Sequence, residues 1–258
     1  MDTEFLKTAK AAALKAGGVL RENINGSRSI SYKGEINLVT EMDKKSEQVI
    51  VETILSSFPG HGILAEEEAR VENGSGFRWI IDPLDGTTNY AHGYPCFSVS
   101  IALEAAGDVI LGVVYDPMRN ELFSAVKGGG AYLNKRRITV SRTGRLIQCL
   151  LATGFPYDRA TSNENNLDYF AAFLMASQEV RRDGSAALDL CSVAAGRFDG
   201  FWELKLQPWD VAAGSLIVSE AGGMVTNIAG GVFDIHDGGI VASNGLIHDR
   251  MIETLKGA

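Results

Sequence analysis

The stretch WIIDPLDGTTNY, residues 79–90, takes an apolar run directly into two carboxylates, a glycine and two threonines. Trp79-Ile80-Ile81 reads as the end of a buried strand that delivers Asp82 to its C-terminal end. Pro83 lacks the N–H needed to continue a ladder and Gly86 admits a tight turn, so Asp82 and Asp85 are expected to project into one small space. A plainer reading stands beside this one: Asp85 opens an Asp-Gly turn and Asp82 caps a following helix. Against it, a carboxylate set beside an apolar core is costly when unpaired, and a bound divalent cation removes that cost.

Working outward, Phe5, Ala9, Ala12, Ala13, Ala16 and Leu20 fall at helical intervals and predict a helix from Asp2 to about Asn23, with Gly17-Gly18 as a weak point near its end. A second helix is expected from Asp43 to Ser56, stopped by Phe58-Pro59-Gly60. Between them SYKGEINLVTEMD, residues 31–43, reads as an exposed loop or hairpin. After His61 the pattern turns to strands: GILAEE, RWIID, FSVSIALEAAGDVILGVVYDP, which folds back at Gly107-Asp108, and ELFSAVKGGGAYLN. From GRLIQCLLATGFP onward, strand-like runs alternate with helices over residues 163–177, 185–195 and 210–221, the last ended by Gly222-Gly223. Helices followed by grouped strands, then alternation, predict an α+β chain in two halves, 1–140 and 141–258.

The chain has 258 residues, 45% of them hydrophobic, enough for one large core or two joined ones. Its net charge of −8 argues against a general electrostatic grip on nucleic acid or an anionic membrane. With no uninterrupted apolar run of about 18 residues and no basic-then-apolar leader, a cytoplasmic protein is expected. Cys96, Cys149 and Cys191 are odd in number and lack a C-x-x-C spacing, so they are expected to be small buried side chains.

Two further acidic clusters accompany Asp82 and Asp85. LAEEEA, residues 64–69, sits at a strand end and read alone suits a solvated patch. QPWDVAAGSLIVSEAGG, residues 207–223, opens a helix at Asp210, where an aspartate is most often an N-cap. Together they supply oxygen donors of the kind Mg2+ takes, next to Thr87 and Thr88 at an expected helix start, whose free amides and dipole favour phosphate. Acidic ligands beside an anion-binding helix start suit phosphoryl transfer.

The set EEE (66–68), WIIDPLDGTTNY and PWDVAAGSLIVSEAGG resembles the inositol monophosphatase family of Mg2+-dependent, lithium-sensitive phosphatases. The resemblance spans nearly the whole chain: INLVTEMDKKSE is similar to the family's N-terminal loop and following helix, and RRDGSAALDLCSVAAGRFDGFWE to its substrate-binding helix and strand. It implies a layered α-β-α-β-α sandwich, frequently as a homodimer, with the site where the two halves meet. It makes Glu66, Asp82 and the Leu84 carbonyl ligands of a first Mg2+, with Asp82 bridging to a second ion held by Asp85 and Asp210 and a third, weaker ion near Glu66; Mn2+ is an alternative. Glu67 is second choice to Glu66, because the three glutamates are adjacent.

The resemblance further implies that Thr87, paired with Asp43, helps Glu66 orient and deprotonate the attacking water. Gly86 and Thr87 would offer amides to the phosphate, and Lys33 would lie near the site. Gly184, Ser185, Ala186, Glu203, Asp85 and Asp210 would face the substrate's hydroxyls. Read without the family pattern, Glu203 is an outward residue of an alternating strand, Ser185 an N-cap, and Arg181 and Arg182 surface charges outside the site. The implied reaction is direct hydrolysis of inositol monophosphate. Fructose 1,6-bisphosphate (or dual activity), histidinol phosphate or a 3′-phosphonucleotide are the alternative small-molecule esters, and a regulatory protein with a vestigial metal site is a different class. No D-x-D-x-T nucleophile motif is present.

Overall fold

The computed structural model describes residues 2–26, 30–32, 38–72 and 74–258. Helix α1 (Asp2–Asn23) is followed by strands β1 (Ile30–Tyr32) and β2 (Leu38–Thr40), paired antiparallel, and by α2 (Glu41–Ser57). Then come β3 (Gly62–Ala65), β4 (Arg70–Val71), β5 (Phe77–Asp85), the one-turn α3 (Thr87–Ala91), β6 (Ser98–Ala105), β7 (Asp108–Asp116), β8 (Glu121–Val126), β9 (Gly130–Leu133) and β10 (Arg136–Arg137). The remainder alternates: β11 (Leu150–Thr153), α4 (Leu167–Ala176), β12 (Glu179–Arg181), α5 (Ala186–Ala194), β13 (Gly200–Leu204), α6 (Pro208–Glu220), β14 (Met224–Thr226), β15 (Gly239–Ser243) and α7 (His248–Lys256).

One sheet has the order β10-β9-β8-β7-β6-β5-β3-β4, antiparallel except where β3 runs parallel to β5. The other has the order β12-β11-β13-β15-β14, parallel around β11 and antiparallel around β15. Strand alternation sorts side chains into layers. Trp79 and Ile81 of β5 pack under α1 and α2 with Ala9, Ala13, Ile50 and Ile54, while Ile80 between them faces α5 and α6. In β13, Phe201 faces α5 and α6, and Trp202 turns outward to Phe173 of α4 and joins Met251 of α7. The layers therefore run α-β-α-β-α.

Helix α6 is buried along most of its length, with Val211, Ala212, Ala213, Leu216, Ile217 and Val218 all inside, as a helix between two sheets must be. Its approach to β7 is close: a Cβ on Gly112 would lie 2.7 Å from the Ala213 carbonyl oxygen. Gly112→Ala is expected to destabilise the fold by about 1–3 kcal/mol, read as a lowered midpoint in thermal denaturation. An unchanged midpoint would mean that α6 can retreat from the sheet.

Several expectations are corrected. Gly17 is no weak point: α1 continues to Asn23, and a Cβ on Gly17 would strike the Tyr115 ring. Helix α2 starts earlier than expected because Thr40 caps it, with Asp43 completing a capping box; both are buried, so the end of the 31–43 stretch is not exposed. Helix α4 begins at Leu167 rather than 163, because Asn166 adopts a left-handed conformation and is buried, bonding Thr153, the Gly154 carbonyl and the Trp202 indole. The strand GILAEE ends at Ala65. Cys96, Cys149 and Cys191 are free and buried, as expected.

Candidate active site

Pro83 does not end the strand. β5 continues to Asp85 across a register shift between Asp82 and Asp85, so the extra residues bulge and re-aim both carboxylates. Asp82 folds back on its own turn, its Oδ1 accepting from the Leu84 N–H at 2.9 Å. Gly86 then takes a φ of +94°, and a Cβ there would lie 3.0 Å from the Cys96 carbonyl oxygen and 3.2 Å from that of Gly184. Helix α3 starts at Thr87 without a side-chain cap, leaving first-turn amides free of capping. Asn89 ties this turn across the molecule, donating at 2.7 Å to the carbonyls of both Cys96 and Asp183.

A cavity of about 460 Å3 is lined by Glu66, Asp82, Leu84, Asp85, Gly86, Thr87, Glu203 and Asp210. An adjoining recess of about 110 Å3 adds Gly184, Ser185 and Ala186 to Asp85, Glu203 and Asp210. Asp43 lies beneath this lining, accepting from the Thr87 hydroxyl at 3.0 Å. Lys33 falls outside the described residues.

Three carboxylates line this cavity. Asp85 accepts from Ser185 Oγ, from the Ala187 N–H at 2.9 Å and from Ser98 Oγ at 3.4 Å, all on Oδ2. Asp82 uses only Oδ1, and Asp210 only Oδ2, which accepts from the Gln207 N–H at 2.7 Å. The Ala186 N–H is a further donor to Asp85, while no described residue donates to the second oxygen of Asp82 or Asp210. Asp210 is thus the third residue of α6, not its N-cap, which is Gln207. Ser185 does cap α5 and in addition holds Asp85.

Burial raises the pKa of Asp82 well above the usual carboxylate value, with repulsion from Glu66, Asp85 and Asp210 adding to it. Burial likewise pushes Asp85 up to about 6, against the opposing donors on Oδ2, and raises Asp210. Half-satisfied, mutually repelling oxygen donors fit a hard divalent cation. Among the described residues no three His, Cys, Asp or Glu side chains form a cation cage by themselves.

The cavity also contains residues that sequence reasoning missed. Arg182 reaches the recess, whereas Arg181 pairs with Glu179 on the surface. Asp189 is buried there with a pKa well above normal, through burial and the nearby carboxylates of Asp183 and Glu203. Tyr157 and Phe155 form part of the wall. Glu203 does not point outward: burial lifts it to about 8, partly offset by Arg182. Gly154 makes room for it, since a Cβ there would overlap the Glu203 carboxylate. No short-range signal marks Gly154, because β11 and β13 meet only through the sheet. Gly154→Ala is expected to displace Glu203 and raise KM for the substrate about tenfold, equivalent to ~1.4 kcal/mol, with a smaller change in kcat. Steady-state kinetics check this, and an unchanged KM would remove Glu203 from the substrate's contacts.

Among the described residues no helix is long and apolar enough to cross a membrane. A sequence profile of the inositol monophosphatase family matches residues 1–258. The chain is 46% identical to the inositol-1-monophosphatase of Synechocystis sp., covering 97% of this chain and 88% of the relative. It is equally 46% identical to Nus factor SuhB of Vibrio cholerae, over 93% and 91% of the two chains. The structure of inositol monophosphatase from Anabaena (Nostoc) sp. superposes with a TM-score of 0.91 at 46% identity, covering 99% of this chain and 96% of that one. A more distant structure, IMPase/NADP phosphatase complexed with Mg2+ and phosphate, matches at 25% identity with a TM-score of 0.82, covering 95% of this chain and 92% of that one.

Proposed function

This chain belongs to the inositol monophosphatase family and is by that membership a phosphoric monoester hydrolase, and we propose that it hydrolyses inositol monophosphate to inositol and inorganic phosphate. The observation that carries the site reading is that Asp82 and Asp210 each spend one carboxylate oxygen on the protein, no described residue donating to the other, around one cavity that Asp85 also lines.

In this reading Glu66, Asp82, the Leu84 carbonyl, Asp85 and Asp210 would hold two Mg2+ ions, and a third, weaker one would bind near Glu66, with Mn2+ as an alternative. The bound ions neutralise phosphate charge and acidify water. The chain's own groups do the rest. The single Thr87 hydroxyl proton lies within reach of both Asp43 Oδ1 and the Leu84 carbonyl, at 3.0 Å each, so its oxygen is left to accept from the attacking water. Glu66 takes the water's other proton as the oxygen attacks phosphorus in line. Amides at Gly86 and Thr87 receive the phosphate oxygens. As the P–O ester bond breaks, the alkoxide leaves and takes a proton from water to become the alcohol. Gly184, Ser185, Ala186 and Glu203 position its hydroxyls.

Residues 1–140 and 141–258 are the two halves whose seam carries this site. Lithium sensitivity, a homodimer and a cytoplasmic location belong to the same reading, with a Li+ titration and sedimentation equilibrium as tests of the first two. Similarity to a relative named as a Nus factor also favours a partner-binding role beside hydrolysis.

A phosphate-release panel tests the substrate. Inositol 1-phosphate, fructose 1,6-bisphosphate, histidinol phosphate and a 3′-phosphonucleotide are compared with Mg2+, with Mn2+ and with added Li+. The inositol ester is expected to give the highest kcat/KM; a higher value for another ester overturns the substrate assignment. Trapping a phosphorylated aspartate during turnover would overturn direct attack by water.

A further inference from the structure

Helix α2 turns one polar face toward the site. Asp43, Ser46 and Glu47 stand at i, i+3 and i+4, which share a helix face, and all three are buried. Each holds a different segment. Asp43 accepts from Thr87, Ser46 donates to the Pro83 carbonyl at 2.6 Å, and Glu47 grips the loop after β3. That grip is threefold: Glu47 Oε2 accepts from the Glu67 N–H at 3.0 Å, and Oε1 from the N–H groups of Glu68 and Ala69 at 2.9 Å each. Glu66 itself is tied to β5, its N–H donating to the Ile81 carbonyl at 3.1 Å, and the loop closes where Ala65 N–H donates to the Ala69 carbonyl.

We propose that Glu47 is a positioning residue that sets the Glu66 carboxylate for cation binding by gathering the three backbone amides 67–69 onto its own carboxylate. The inference rests on reading Glu66 as a cation ligand. A buried carboxylate, only 5% exposed, is costly to take out of water unless its oxygens are hydrogen-bonded. Convergent N–H dipoles offset that cost, as in the anion-binding nests formed by successive backbone amides. Both oxygens are acceptors here, so an amide is a poor replacement. In Glu47→Gln, either orientation turns an NH2 group toward at least one backbone N–H, and the loop loses its fixed shape.

The test uses the full chain. Glu47→Gln, Glu47→Asp, Glu66→Gln and Glu220→Gln are compared with wild type; Glu220 is a matched control, since its two oxygens accept from the Gly128 and Gly130 amides in the β8–β9 turn, outside the cavity. Mn2+ affinity is measured by electron paramagnetic resonance, and amide exchange at 67–69 in metal-free protein. Glu47→Gln is expected to weaken Mn2+ binding about 10–100-fold and to accelerate exchange at 67–69, with kcat falling in parallel. Glu47→Asp, which keeps both acceptors, is expected to recover part of the affinity, and Glu220→Gln to leave it unchanged. If Glu66→Gln weakens Mn2+ binding and Glu47→Gln and Glu47→Asp do not, the positioning role is overturned while the site reading stands. If Glu66→Gln has no effect on Mn2+, the ligand assignment itself falls.

Discussion

Asp82→Asn is expected to lower phosphate-ester hydrolysis at saturating Mg2+ by about 10³-fold, while the metal-free protein remains folded and at least as stable as wild type. Asp82 is 2% exposed, and its protein-facing oxygen accepts one N–H, from Leu84. An asparagine oxygen can keep that bond, so the turn survives. The second oxygen, which no described residue satisfies, becomes an NH2 group that cannot bind a cation. Losing the charge also removes repulsion with Glu66, Asp85 and Asp210, which is why stability should not fall. Kinetics and thermal denaturation of the same preparation check both halves. Full Mg2+-dependent turnover in the variant would make the metal assignment wrong. A partner-binding function, by contrast, would survive the substitution.

The second large effect is a Mg2+ stabilisation that grows with pH. In the folded, metal-free protein Asp85 titrates at about 6, and Asp82 and Asp210 are also raised. Each therefore binds its proton more tightly folded than unfolded. The stability this contributes is present below about pH 4, near the unfolded carboxylate value, and is lost as pH rises through the folded values. For Asp85 alone the loss amounts to on the order of 3 kcal/mol. Mg2+ binds the ionised folded site and reverses the loss, adding about 2.7 kcal/mol at a hundredfold excess over its Kd. Melting curves with and without Mg2+ should differ by about 5–10 °C at pH 7.5 and by much less at pH 5. A Mg2+ shift that does not depend on pH would show that the three aspartates do not form the binding site.

Much of this architecture is visible in local pattern. The apolar spacing of α1, the Phe58-Pro59-Gly60 stop of α2 and the strand runs of β5 through β8 are short-range features, and each element forms close to where its residues predict it. Where expectation and structure part, a distant contact is responsible. Gly17 looks like a helix breaker until Tyr115 is placed against it. The segment 163–166 looks helical until Asn166 is claimed by Thr153 and Trp202. Strand alternation alone would turn Glu203 outward, whereas the family resemblance places it at the substrate, and the Gly154 backbone makes space there for its carboxylate.

The site divides in the same way. Sequence alone determined its chemical character, because Asp82, Leu84, Asp85, Gly86 and Thr87 lie within one bulged strand exit and its following turn, where backbone geometry is set locally. Only the tertiary structure decided which oxygens of Asp82 and Asp210 no described residue satisfies, supplied the contacts that hold Asp210 and Glu203 in the cavity where the family resemblance expects them, and added Arg182, Asp189 and the Glu47 grip. Those features depend on the stacking of two sheets about α5 and α6. That stacking is fixed by burial and pairing between residues as much as a hundred positions apart, as between Asp85 and Ser185, which no local spacing encodes.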